Sequence, residues 1–445
     1  MVYRTESVSG LSEFLWLRRD PLAYVAELAD RHIDIRHVKI GSRNVFQVNH
    51  PDLIQDVLVT HDWNFIKGRG LKASKPVLGS GLLTSEGELH RRQRRLVQPA
   101  FHKTRLSNYA NVMVDCAVSA AGAWQDGEII AIDQVMMQLT LDIVGRTLFS
   151  ADLHHDAAGV GQSLKRALQV FLTINRPLSQ LLPFLRGAAE KQGRQARREI
   201  EKVLMPVIAE HRRNPEAYDD MLLMLMHAHE GAETGYMSKE LLLDECLTLF
   251  LAGHETTANA LTWTWYLLAQ HEEIRDKLHV ELREVLGDRS PAMNDLPCLE
   301  YTKRIFEESL RLYPPAWVIG REALTAYRLG DIEVPAGSTI MMSPFVTHRD
   351  SRFWHEASEF NPDRWMEDRP NRPKFCFYPF GAGTRVCIGE HFAMMEGILL
   401  IATLAQRFRF DLVAGQTVEL WPQITLRPRN SMQFRLRSLQ QERHL

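Results

Sequence analysis

The chain has 445 residues, 45% of them apolar and 24% charged, with a formal net charge of −2. That is the composition of a globular protein with a large core. The near-neutral balance gives no bulk attraction for nucleic acid or an anionic membrane, so local charge must carry any such argument, and no nucleic-acid partner is expected. The opening residues MVYRTESVSGLSEFLWLRRD lack the apolar core and small-residue cleavage site of a secretory signal. Apolar runs such as Ile398 to Ala402 are far shorter than the roughly eighteen residues of a membrane-spanning helix. Five scattered cysteines (Cys116, Cys246, Cys298, Cys376 and Cys387) form no disulfide framework and suit a reducing compartment, so the expected location is the cytoplasm.

In chain order, Ile33 to Asn49 reads as a β-hairpin, its two β-branched runs joined across Gly41-Ser42. From about Pro51 to about Leu312 the pattern is mostly helical. Apolar residues recur at three- and four-residue spacing through Gln134–Phe149, Ile200–His211, Lys239–Ala269 and Glu300–Leu312. Strand-like pieces return after Pro314, for example Ser338–Met342, and again in the last thirty residues. No repeat or Gly/Ser linker divides the chain. Long helices with small sheets, and no alternating βαβ units, predict a mainly α, α+β fold as one domain over 1–445, with a small N-terminal β region.

Four stretches carry candidate chemistry. Glu88 to Arg95 (ELHRRQRR) is a basic run, read alone as a solvated face or an anion-binding patch, with His90 and Arg94 on one side of a helix. Leu247 to Thr257 (LTLFLAGHETT) sets Gly253, Glu255 and Thr256 in an apolar helix, where glycine costs about a kcal/mol relative to alanine. A kink with the threonine hydroxyl bonded back to a carbonyl is one explanation. Glu308 and Arg311 are one helical turn apart, a spacing that on a solvated surface is worth under about a kcal/mol. Yet Ile305, Phe306, Leu310 and Leu312 surround the pair, and Tyr313-Pro314-Pro315 ends the helix.

The fourth stretch is Phe377 to Gly397, FYPFGAGTRVCIGEHFAMMEG. Gly381, Gly383 and Gly389 bracket Cys387, letting the backbone come close to a bulky flat ligand, and a helical pattern follows at once. A cysteine at a helix N-terminus has its thiolate, the metal-binding form, stabilised by the dipole. Arg385 is placed to meet an anionic cofactor edge. An isolated cysteine is more often a buried structural thiol. A zinc site has less support, because no second ligand besides the helical His391 lies at suitable spacing.

The order Phe380-x-x-Gly383-x-Arg385-x-Cys387-x-Gly389 resembles the haem-binding signature of the cytochrome P-450 family. The other motifs follow that family's order from about Asp20 to Arg437, as in a soluble bacterial-type haem–thiolate monooxygenase. The resemblance implies haem b buried between a long central helix and the cysteine-loop helix. Cys387 is then the axial ligand, an electron-donating thiolate. Phe380 packs beside the sulfur, with Gly389 in the loop and Ala393 continuing the helix beneath the haem. His90, Arg94, Arg321 and Arg385 hold the propionates, His90 standing where many members have tryptophan. Glu255 and Thr256 relay protons to dioxygen, a general-acid task. Glu308, Arg311 and Arg364 (the last in Phe360-Asn361-Pro362-Asp363-Arg364-Trp365) form a structural triad that steadies the cysteine loop.

The implied reaction is hydroxylation or epoxidation of a hydrophobic small molecule, a fatty acid or terpenoid. Candidate pocket positions are Leu71–Leu83, Phe171–Ile174, Leu249, Ala252, Thr256, Ala316–Ile319 and Gln423–Leu426, with Leu78, Leu249, Ala252, Val318, Ile319 and Ile424 foremost. Leu78 to Leu83 and the Ala252–Thr257 run look closer to the branch that contains fatty-acid hydroxylases. No fused reductase follows Leu404, so electrons come to a monomer from a separate ferredoxin, or a flavodoxin or reductase. That donor is steered to a basic proximal face that includes Arg91, Arg92 and Arg95. The rivals are a peroxide-dependent haem–thiolate hydroxylase or isomerase, whose members usually lose the acid–alcohol pair, and a non-enzymatic haem sensor, for which no output domain is evident.

Overall fold

The computed structural model describes residues 2–9, 11–40, 42–151, 183–230, 238–366 and 372–439. The candidate pocket residues Phe171–Ile174 lie outside the described residues. Strands β1 (Thr5–Ser9), β2 (Ile35–Ile40), β3 (Arg43–Val48), β4 (Phe65–Lys67) and β5 (Ile129–Ala131) lie early in the chain. Late in it come β6 (Ile319–Ala323), β7 (Tyr327–Leu329), β8 (Ile332–Val334), β9 (Thr339–Met342) and β10 (Phe408–Leu412). The last are β11 (Leu420–Pro422), β12 (Leu426–Pro428) and β13 (Gln433–Ser438). The longer helices are α1 (Leu11–Arg19), α2 (Pro21–Asp30), α3 (Gly87–Val97), α4 (Lys103–Gly122), α5 (Ile132–Leu148) and α6 (Pro183–Arg213). They continue as α7 (Met221–Glu230), α8 (Lys239–Gln270), α9 (Glu272–Leu286), α10 (Glu300–Leu312) and α11 (Glu390–Ala405).

These elements gather into two compact units. The first comprises Met1–Lys72, Glu307–Cys387 and Leu420–Arg427; the second Ala73–Phe306, Ile388–Glu419 and Pro428–Leu445.

A six-stranded sheet, ordered β1-β2-β3-β9-β6-β4, organises the first unit. The expected hairpin is its centre: β2 and β3 pair antiparallel, Ile35 opposite Val48 and Ile40 opposite Arg43. Around it β1 joins β2 and β9 joins β3 in parallel, while β6 runs antiparallel to β9 and β4 to β6. Ile35, Phe46, Val48, Ile340 and Met342 are buried together, as alternation along a pleated strand requires. Ile54, Val57 and Leu58 close this core, and so do Phe375, Tyr378 and Ala382 from the segment leading to Cys387. The sheet is therefore the floor on which the cysteine loop rests.

The second unit is helical, with a small antiparallel sheet, β10-β13-β5, at its side. Ser238 caps α8 by accepting the Leu241 N–H at 3.1 Å, and the helix then runs 32 residues without a break. Its partner α5 crosses at Gly253, where an added Cβ would come within 3.0 Å of a Val144 methyl. One residue on, Thr140 Oγ1 donates to the His254 carbonyl at 3.0 Å. The glycine in the apolar helix thus marks close helix packing. α11 is buried throughout Met395–Ala405, as expected of a helix apolar on all sides. At Gly397 a Cβ would run into the Phe306 ring. Among the described residues no helix is long and apolar enough to cross a membrane.

Candidate active site

The first unit holds the cysteine loop. Gly381 and Gly383 both adopt positive φ, +70° and +67°. At Gly383 the demand is doubled, because a Cβ would collide with the Leu58 carbonyl in the turn Asp56–Thr60. The close approach that glycine permits here is to the protein's own backbone. The loop returns on itself through the Cys387 N–H, which donates to the Phe380 carbonyl at 2.9 Å, and the Val386 N–H, which donates to Gly383 at 3.1 Å. Cys387 is exposed, unlike the buried Cys376, and stands two residues before Gly389, the cap of α11. Phe380 and Arg385 are half-buried, and Arg321 in β6 donates to the Gly320 carbonyl at 3.0 Å. Among the candidate pocket residues of this unit, Val318, Ile319 and Ile424 are half-buried.

Behind the loop lies the triad. Glu308 is fully buried and accepts from Arg311 through both oxygens, each at 2.8 Å. It also accepts from Arg364 Nε at 2.8 Å, Trp365 Nε1 at 2.9 Å and the Asn361 N–H at 3.0 Å. Arg311 spends its remaining donors on the carbonyls of His348 (2.8 Å), Ala357 (2.6 Å) and Glu359 (2.9 Å). Burial among Arg311 and Arg349 holds the His348 ring well below the usual histidine range, so it is neutral. Its Nε2 then accepts the Tyr378 N–H at 3.0 Å. A continuous path of directed bonds therefore links the carboxylate of Glu308 to the backbone of the cysteine loop. The sequence had left open a solvated surface pair for Glu308 and Arg311; zero exposure removes that option.

In the second unit, Thr256 Oγ1 donates to the Ala252 carbonyl at 2.7 Å, and Glu255 is buried. The hydroxyl does bond back along the helix, and α8 continues through this turn without a break. On α3, His90 is buried and Arg94 half-buried, whereas Arg91 and Arg95 are exposed, both paired with Glu88 at 3.0 and 3.5 Å. Leu78 and Leu249 are buried and Ala252 is exposed.

Two acidic residues of α8 went unnoticed in the sequence. Asp244 accepts the Ser80 N–H at 2.7 Å and forms an ion pair with Arg197 Nη1 at 2.6 Å, and Glu245 accepts the Leu82 N–H at 2.9 Å. A Cβ at Gly79 would enter the Asp244 carboxylate and one at Gly81 the Thr248 hydroxyl, so the Gly79–Leu82 strap lies flat on α8. The usable signal was an acidic pair inside LLLDECLTLF, since carboxylates in so apolar a stretch must find partners.

An accessible thiol in a rigid, glycine-bent loop just ahead of a helix cap suits a haem–thiolate centre, and half-buried Arg385 and Phe380 on the same loop suit the cofactor's acidic and apolar edges. The family profile described as Cytochrome P450 matches residues 8–434. Cyclooctatin synthase of Streptomyces melanosporofaciens is 36% identical over 415 residues, covering 93% of this chain and 90% of that protein. Cyclooctat-9-en-7-ol 5-monooxygenase of the same organism is 34% identical over 416 residues, with the same coverage. Pentalenene oxygenase of Streptomyces avermitilis is 34% identical over 401 residues, covering 88% and 87%. The chain belongs to the cytochrome P450 family and is a monooxygenase of the haem–thiolate type, with a cysteine as axial ligand.

Replacing Glu308 by alanine leaves Arg311 and Arg364 buried without a counter-charge, a loss of about 3–5 kcal/mol. Chemical unfolding followed by tryptophan fluorescence should show a correspondingly lower midpoint for E308A, while E88A at the exposed Arg91/Arg95 pair leaves it unchanged. Equal midpoints for the two variants would refute the triad's structural role.

Proposed function

We propose that this protein hydroxylates a terpenoid, using haem b ligated by Cys387 and electrons from a separate donor. The observation that carries the substrate class is the set of relatives: cyclooctatin synthase, cyclooctat-9-en-7-ol 5-monooxygenase and pentalenene oxygenase all match over 87–90% of their length. The apolar side chains Leu78, Leu249, Ala252, Val318, Ile319 and Ile424 support a hydrophobic substrate. When bound, the haem supplies reductive activation of dioxygen, and the protein positions and tunes it.

The chain's own residues divide the remaining work. Cys387 offers a thiolate from the rigid loop, with Phe380, Gly389 and Ala393 flanking that side. His90, Arg94, Arg321 and Arg385 hold the acidic edge; buried His90 and half-buried Arg94, Arg321 and Arg385 are suited to this. Thr256 donates to the Ala252 carbonyl at rest, so its oxygen can accept a hydrogen bond while its proton stays positioned. Glu255, buried beside it in sequence, delivers protons from water. The electron donor is a ferredoxin, or a flavodoxin or reductase, in the cytoplasm. Arg91 and Arg95, with side chains 69% and 75% exposed, offer it charge.

Reconstitution with a ferredoxin and its reductase, on matched panels of cyclic terpenes and fatty acids, tests this assignment. Wild type should convert terpenes in preference to fatty acids, and T256A should lose product about 10²-fold while still consuming reductant. Turnover with peroxide alone, or preference for fatty acids, would contradict it. The double charge reversal R91E/R95E should slow reduction at low ionic strength by about tenfold, an effect that salt abolishes. Unchanged reduction kinetics would move the docking face elsewhere.

A further inference from the structure

Glu396 lies on α11 with no exposure, inside a helix buried from Met395 to Ala405. Neither of its carboxyl oxygens has a partner at hydrogen-bond distance. Buried polar atoms are rarely left so, and a pair of orphan oxygens marks a place for ordered water. Among the described residues no cation forms an ion pair with it. The titratable neighbour on α4 is the buried Cys116, itself pushed up to about 11 by burial. On β10, Arg409 and Asp411 pair with each other at 2.8 Å. From α10 the ring of Phe306 faces Gly397. From α8 comes the Thr257 hydroxyl, near enough to lower the acid's affinity for its proton. Burial wins that contest and pushes the Glu396 carboxyl up to about 8, so near neutral pH it is mostly a protonated acid, able to donate as well as accept.

Thr257 is the residue after Thr256. Its own hydroxyl has only a long bond, 3.4 Å to the Gly253 carbonyl, so it is weakly committed. The proposed proton-handling pair Glu255 and Thr256 shares this one turn of α8. Resting on the monooxygenase assignment made above for Glu255 and Thr256, we propose that Glu396 is a positioning residue that keeps a proton behind α8. It passes that proton through the Thr257 hydroxyl and buried water toward the acid–alcohol pair. The Glu396 O–H bond breaks as an intervening water gains that proton and gives one of its own to the Thr257 oxygen, which releases its proton to the next oxygen. A proton that enters from solvent through the same water restores the carboxylic acid, one entering for each one delivered, and no electrons change hands. An acid whose affinity lies near working pH suits repeated loss and recovery of a proton.

The test uses haem-loaded wild type and E396Q, which keeps shape and removes the proton. Infrared difference spectra of wild type should show the C=O stretch of a protonated carboxylic acid that fades as pH rises through about 8. E396Q should lack this band. Product formed per electron consumed should fall in wild type over the same pH range. In E396Q it should be about tenfold lower and flat with pH, with the carbon-monoxide spectrum unchanged. The band reads the acid whether or not turnover occurs. Its absence in wild type, or a wild-type product ratio and pH profile in E396Q, overturns the role of Glu396 alone. A wild-type band without oxygenated product overturns the monooxygenase assignment, and the relay with it.

Discussion

The structure of the cysteine loop depends on one buried carboxylate. Glu308 has no exposure, and two guanidinium groups, an indole N–H and a backbone N–H compensate it. Removing a charge from water costs several kcal/mol, recovered only if the geometry is complete. Completeness is what makes it directive. Arg311 can serve Glu308 only by also meeting the carbonyls of His348, Ala357 and Glu359, so two stretches of irregular chain are set by one side chain. His348, kept neutral, passes the constraint to Tyr378, and the loop from there to Cys387 needs only its glycine bends to close.

Carboxylates in the helical unit show what else burial can do. Asp244 and Glu245 hold their place on α8 by accepting backbone N–H groups, with Arg197 added for Asp244. They turn the Gly79–Leu82 strap into a fixed surface. Glu396, which among the described residues has neither an ion pair nor a hydrogen-bonded amide, has its carboxyl pushed up by burial to about 8. Whether a buried acid serves as scaffold or as proton carrier is decided by its neighbours.

Sequence pattern revealed local features well. The Glu300–Leu312 helix was bounded correctly, because Pro314 and Pro315 end it. The β2–β3 hairpin followed from its β-branched runs around Gly41-Ser42, and the long α8 from helical periodicity. Cys387 stood out through glycine and arginine spacing that no ordinary core thiol requires. The rest is non-local. Arg364 lies 56 residues beyond Glu308, and only the family resemblance joined them. Ser80 and Leu82 meet Asp244 and Glu245 across more than 160 residues, which no window of periodicity can span. Gly253 looked like a helix defect, since the Val144 methyl that demands it lies on another helix. The sheet order β1-β2-β3-β9-β6-β4 combines strands from both ends of the chain for the same reason.

The proposed chemistry turns on the sulfur of Cys387 acting as an anionic ligand. Its most direct measurement is the absorption spectrum of the reduced, carbon-monoxide-bound protein. Wild type should show the red-shifted Soret band of a thiolate-ligated haem. C387S should lose it, whereas C298S, which removes another exposed thiol, should keep it. Retention of that band in C387S would contradict the assignment of the ligand and the chemistry drawn from it.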